Sequence, residues 1–164
     1  MIWFVIAMIG ACGIALEDFK WRMVHIWWYL VLSVGLGGLS IALKGTMDTL
    51  SMVIWNVGFI LLLLLILTVY LSLKERKLVF LFDRYLGWGD VFFFVCVALY
   101  LDLATYITFL IISLIAALII APVIFKWQGK DKHIPLAGIQ AICLMLYLPM
   151  VHFDLFPLKL TING

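Results

Sequence analysis

Charge is scarce in this sequence. Of its 164 residues, 12% are Asp, Glu, Lys or Arg, against roughly 25% in a soluble globular domain. Hydrophobic residues make up 67%, which excludes a soluble domain and calls for a lipid environment. The net charge of +2 is too small to suggest a nucleic-acid partner. Cysteine is sparse too: Cys12, Cys96 and Cys143 stand alone in apolar runs. Without a C-x-x-C pair there is neither a zinc site nor a disulfide framework to expect, only ordinary buried thiols. The three histidines show no H-x-x-x-H or H-x-x-E spacing, so no metal and no cofactor are expected. Positive charge is missing before the first apolar run, Met1 to Leu16, and comes only after it, at Lys20 and Arg22. That order excludes a cleavable secretory signal and predicts a retained first helix with its N-terminus outside.

What is present is a series of long apolar runs. Met1 to Leu16 is the first expected span, with Glu17 to Arg22 as the polar segment after it. The second runs from about Val24 to Leu43, and its glycines Gly35, Gly37 and Gly38 suit close helix packing. Lys44 to Asp48 reads as a short loop and Thr49 to Leu73 as the third span. Leu78 to Leu86 reads as a short interfacial or re-entrant piece around Asp83-Arg84. Val91 to Phe125 is apolar except for Asp102. One helix of that length would be about 52 Å long, well beyond the roughly 30 Å hydrocarbon core. A break at Asp102 is therefore expected, giving a short fourth span, Val91 to Leu101, and a fifth, Leu103 to Phe125. Lys126 to His133 reads as a loop, Ile134 to Val151 as the sixth span and His152 to Gly164 as a tail. The expected fold is an all-α polytopic membrane protein of about six transmembrane helices, short loops and a single membrane-embedded domain, residues 1–164.

With the N-terminus outside, nine basic residues fall on the inner side and only Lys44 and Lys159 on the outer side. That is a clear positive-inside bias. The same topology places two unusual acids, Asp18 and Asp90, at the inner face. Six of the seven tryptophans fall near expected span ends, where an interfacial belt puts them, and they carry no chemistry in this reading.

Asp18 ends the first apolar run. Asp90 follows Gly87-Trp88-Gly89 and heads the run Val91-Phe92-Phe93-Phe94-Val95. An acid beside a membrane segment is costly to bury and marks a functional candidate. The two glycines permit positive φ and close approach of neighbouring groups. Two carboxylates held together cannot both ionise readily, so they can share one proton. The ionised partner can activate water, and the protonated one can polarise a carbonyl and later protonate the leaving amine. That is aspartyl peptide-bond hydrolysis. Each acid alone also has a structural reading: Asp90 as a helix N-cap, Asp18 as a boundary residue paired with Lys20 or Arg22. Asp48, Asp102 and Asp154 read as solvated loop acids.

These residues resemble the GxGD intramembrane aspartyl proteases, and within them the prepilin peptidases (type IV leader peptidases). Gly87-x-Gly89-Asp90 matches the second family motif. Asp18-Phe19-Lys20-Trp21-Arg22 is similar to the first, an Asp followed by alternating basic residues. His133-Ile134-Pro135-Leu136-Ala137-Gly138 resembles the Ile-Pro-x-x-Pro segment that opens the last span. The resemblance covers nearly the whole chain. It implies catalysis by Asp18 and Asp90, with Gly87 and Gly89 as motif backbone and Lys20, Arg22 and Pro135 as site support. The implied partners are the lipid bilayer and a prepilin-like substrate with a short basic leader, cut after a glycine at the cytoplasmic edge of a prokaryotic inner membrane. The family's paired C-x-x-C domain, associated with N-methylation, has no counterpart here, so a peptidase-only form is expected. Glu17, Glu75 and Asp83 on the same face would attract a basic leader. Three positions depart from the family pattern: Val24-His25-Ile26 replace Ile-Pro-Asn, Phe92 replaces a lysine and Gly138 replaces the second proline.

Two other readings stay open at this level. Acids in membrane segments also mark ion paths, as in a small transporter or proton channel. The departures also suit a non-catalytic membrane subunit related to the peptidases.

Overall fold

A computed structural model describes residues 1–21, 23–76, 87–128 and 136–153, with the side chains of 123–128 left aside. The described residues form six α-helices and no strand: α1 (Ile2–Trp21), α2 (Ile26–Lys44), α3 (Thr46–Glu75), α4 (Trp88–Ala98), α5 (Leu103–Gln128) and α6 (Leu136–His152). Helix is the only spanning form open to single apolar segments, because lipid offers their backbone no hydrogen-bond partner. α1, α2, α3 and α5 contain stretches long and apolar enough to cross a membrane, and α4 and α6 are shorter apolar helices. The protein is an all-α membrane protein.

α1 packs closely on α2 and α6. Small residues allow the close approach. A Cβ on Gly10 would lie 2.7 Å from the Leu32 backbone nitrogen, and one on Gly35 would collide with the Ala7 backbone. The Trp28 and Trp3 rings lie over Gly13 and Gly38 in the same way. Between lipid-immersed helices no hydrophobic driving force remains, so such close van der Waals contact supplies much of the association. α3 is peripheral. Only 11% of its apolar window is buried within the chain, against 39% in α1. Its exposed Leu61, Leu62, Leu65, Ile66 and Val69 form a lipid-facing surface.

Several boundaries differ from expectation. α1 continues through Glu17 and Asp18 to Trp21, so the expected polar segment is the last turn of the helix. The loop expected at Lys44 to Asp48 shrinks to Gly45, whose φ of 89° places it where L side chains are strained. α5 runs three residues past the expected Phe125, through Lys126 to Gln128, and His152 belongs to α6. The pieces expected at Leu78 to Leu86 and Asp154 to Gly164 lie outside the described residues.

The expected break at Asp102 is present, and its cause is visible. α4 ends at Ala98. Its orphan carbonyls would be costly in an apolar surround. Asn56 of α3 donates from Nδ2 to the carbonyls of Ala98 (3.0 Å) and Leu101 (2.7 Å), and Lys44 Nζ donates to Tyr100 O (2.9 Å). Asp102 then starts α5, accepting from the Thr105 N–H at 3.2 Å. It is exposed, as expected of a loop acid, and it also caps a helix.

Candidate active site

The last turn of α1 and the first turns of α2, α4 and α6 meet at one end of the bundle. Asp18, in the last turn of α1, is 9% exposed. Its Oδ2 accepts a hydrogen bond from the Gly138 backbone N–H at 2.6 Å. Gly138 lies in the first turn of α6, where backbone N–H groups lack helical partners and the helix dipole favours negative charge.

Asp90 arrives from α4. Gly87 is the N-cap residue, so Asp90 is the third residue of the helix. Its carboxyl group is half-buried and faces the backbone N–H groups of Gly87 and Ala137. Gly87, not Asp90, is the N-cap residue, so the N-cap role expected as the structural alternative for Asp90 is not met. The contact with Ala137 reaches another helix, which helix capping does not require. Asp18 thus bonds the Gly138 N–H of α6, and the Asp90 carboxyl lies close enough to the neighbouring Ala137 N–H and to Asp18 to interact with both electrostatically. Residues 72 positions apart in the chain are brought into one site.

The glycines act otherwise than expected. Gly87 has φ −73° and ψ 142°, extended backbone open to any residue, and Gly89 is helical. Among the described glycines only Gly45 has positive φ. Close approach is what Gly89 and Gly138 provide. A Cβ on Gly89 would lie 2.8 Å from the Tyr29 hydroxyl, and one on Gly138 would lie 3.1 Å from Asp18 Oδ2 and from the Phe19 ring.

The expected supporting residues are placed as follows. Lys20 is exposed at the end of α1, its ammonium 5.0 Å from the centre of the Trp21 ring. Arg22 and Pro135 lie outside the described residues, as do His133 and Asp83. Glu17 is engaged within the chain: its Oε2 accepts from the His25 backbone N–H at 2.8 Å and lies 3.0 Å from His25 Nδ1. That contact bridges the α1–α2 turn. Phe92 carries no charge to the site. Its ring packs near Tyr29 and Trp88, at centroid distances of 5.9 and 6.5 Å.

Sequence reasoning missed Tyr29, which reaches the site from α2. An aromatic residue in an apolar run looks like any core or interfacial residue, and no spacing rule marks it. Among the described residues no three His, Cys, Asp or Glu side chains cluster as metal ligands would. Cys96 is buried, its Sγ 3.1 Å from Ser33 Oγ. Comparison with protein-family models, curated proteins and solved structures finds no match to this chain.

Proposed function

We propose that the protein is a membrane aspartyl endopeptidase of the prepilin-peptidase kind, removing a short basic leader from a prepilin-like protein. The observation that carries this reading is the meeting of two interacting carboxyl groups, from α1 and α4, at the start of α6, where Asp18 accepts from the Gly138 N–H. In the proposed reaction one Asp takes a proton from water as its oxygen adds to the scissile carbonyl carbon. The other Asp gives its proton to the carbonyl oxygen, leaving a gem-diol. The carbon–nitrogen bond then breaks, one Asp protonates the amine and the other accepts a gem-diol proton, so the pair again holds a single proton. The residues of the site suffice for this cycle.

Gly138 stands where the resembled family has its second proline, and its N–H makes the bond to Asp18. Proline has no such donor, so this bond is a feature of this chain and departs from the pattern it resembles. The positive-inside bias places the two acids at the cytoplasmic face of the membrane in this reading, within reach of a leader that has not crossed it.

The test is co-expression with a prepilin-like substrate, following the leader by gel shift and mass spectrometry. Wild type is expected to cleave after a glycine. Asp18→Asn and Asp90→Asn are each expected to lose about 10³-fold or more in rate. Full cleavage by either variant removes that acid from the mechanism. Absence of cleavage by the wild type, with proton flux in liposomes, would replace the peptidase by a transporter.

A further inference from the structure

Tyr29 brings a buried polar atom to the site. It lies in the first turn of α2 and is 4% exposed. Among the described residues its hydroxyl has no hydrogen-bond partner. Buried hydroxyls are normally paired, because an unpaired one loses its hydration for nothing. The ring itself is well held. Phe92 packs beside it at 5.9 Å between centroids, and the Tyr29 carbonyl receives the Cys96 thiol at 3.5 Å. Gly89, inside the Gly-x-Gly-Asp stretch, leaves the space that the hydroxyl occupies. A Cβ there would lie 2.8 Å from it. The carboxyl groups of both Asp18 and Asp90 act electrostatically on this hydroxyl. A donor held by packing beside Gly89, within electrostatic reach of both acids and without a partner among the described residues, is available to a group that enters the site.

We propose that the Tyr29 hydroxyl is a third catalytic group of this site, donating a hydrogen bond to the oxygen of the scissile carbonyl as water adds to its carbon. The inference rests on the peptidase reading. Tyr29 keeps its proton throughout. The proton that converts the carbonyl oxygen to a hydroxyl comes from the protonated Asp, and the Tyr29 bond shortens as negative charge builds on that oxygen. A donor that gains strength only in the transition state raises kcat and leaves substrate binding almost unchanged.

The experiment uses the full chain in lipid nanodiscs with the same prepilin-like substrate, comparing wild type, Tyr29→Phe and Asp90→Asn. Phenylalanine keeps the ring and its packing and removes only the hydroxyl. The expected result is a fall in kcat of about 10²-fold with KM within about twofold of wild type. The thermal midpoint should be no lower, since no bond within the described chain is lost. Unchanged kcat in Tyr29→Phe beside an inactive Asp90→Asn would overturn the role of Tyr29 and leave the peptidase reading standing. A loss of kcat that follows a lowered midpoint would make the hydroxyl structural and overturn the inference as well. Cleavage that survives in Asp90→Asn, or is absent from the wild type, would overturn the peptidase reading and this inference with it.

Discussion

The two ends of the bundle use their polar donors differently. At the end where α4 stops, polar side chains donate to neighbours, although the Asn56 Oδ1 is buried without a partner among the described residues. Asn56 spends both amide hydrogens on carbonyls, Lys44 reaches the Tyr100 carbonyl, and Ser40 and Thr49 meet at 3.0 Å between hydroxyl oxygens. There the sheltered polar atoms end one helix and begin the next. At the other end, two carboxyl groups of like charge share one helix terminus, and a buried phenol beside them lacks a partner among the described residues. Nothing in helix packing requires that second arrangement, and it is costly to maintain. The contrast is between polar groups that solve a backbone problem and polar groups left available. It is the strongest physical reason to look for chemistry at the second end.

The sharpest way to break this comparison is pH. If the two acids work as a pair holding one proton, kcat/KM should trace a bell. It should fall on the acid side as both become protonated and no base remains. It should fall on the alkaline side as both ionise and no acid remains. Removing the proton or adding a second should abolish activity, whereas the bonds of Asn56 carry no titrating group. A single sigmoid in initial rates would argue against the pair.

Gly138 gives the next largest effect. Gly138→Pro removes the N–H that holds Asp18, at a first-turn position where proline is otherwise tolerated in a helix. Displacing a reacting group by about 1 Å costs about 10²-fold in rate, and that is the expected loss. Gly138→Ala keeps the donor but brings a Cβ to 3.1 Å from Asp18 Oδ2, so its loss should be smaller. Assays of leader cleavage on both variants, with helicity checked by circular dichroism, measure the difference. Equal rates in the two would show that the N–H does not position Asp18.

At the opposite end, Asn56→Leu keeps the side-chain volume and abandons the carbonyls of Ala98 and Leu101. The expected cost is about 2 kcal/mol of stability, read by denaturant unfolding in micelles, with cleavage per folded molecule unchanged. Activity lost in step with Asn56→Leu would mean that the two ends are not separable. The smallest effect should come from Glu17→Gln at the α1–α2 turn. His25 is exposed, and pairs of this kind contribute little. Stability within about 0.5 kcal/mol of wild type is expected, and a larger change would mean that the turn sets the position of α2 and Tyr29.

Asp18 and Asp90 were legible because an acid at the edge of an apolar run is rare and costly. The glycines were legible as a pattern, though the structure uses Gly89 for proximity and gives neither it nor Gly87 positive φ. Asn56 carried a signal that passed unremarked: a lone amide in a long apolar span. Tyr29 and the Gly138 N–H carried none, since a phenol in an apolar run and a backbone amide look the same wherever they stand.

By itself the sequence determined the solvent and the elements. Its scarcity of charge demands lipid, lipid demands helices, and the apolar run from Val91 to Phe125 is too long not to break. Tertiary structure alone decided which polar groups meet. That outcome depends on helix rotation and depth, set by backbone closing on Gly10 and Gly35 and by side chains closing on Gly138. Only that packing brings the end of α1, the start of α4 and a tyrosine of α2 to the first turn of α6.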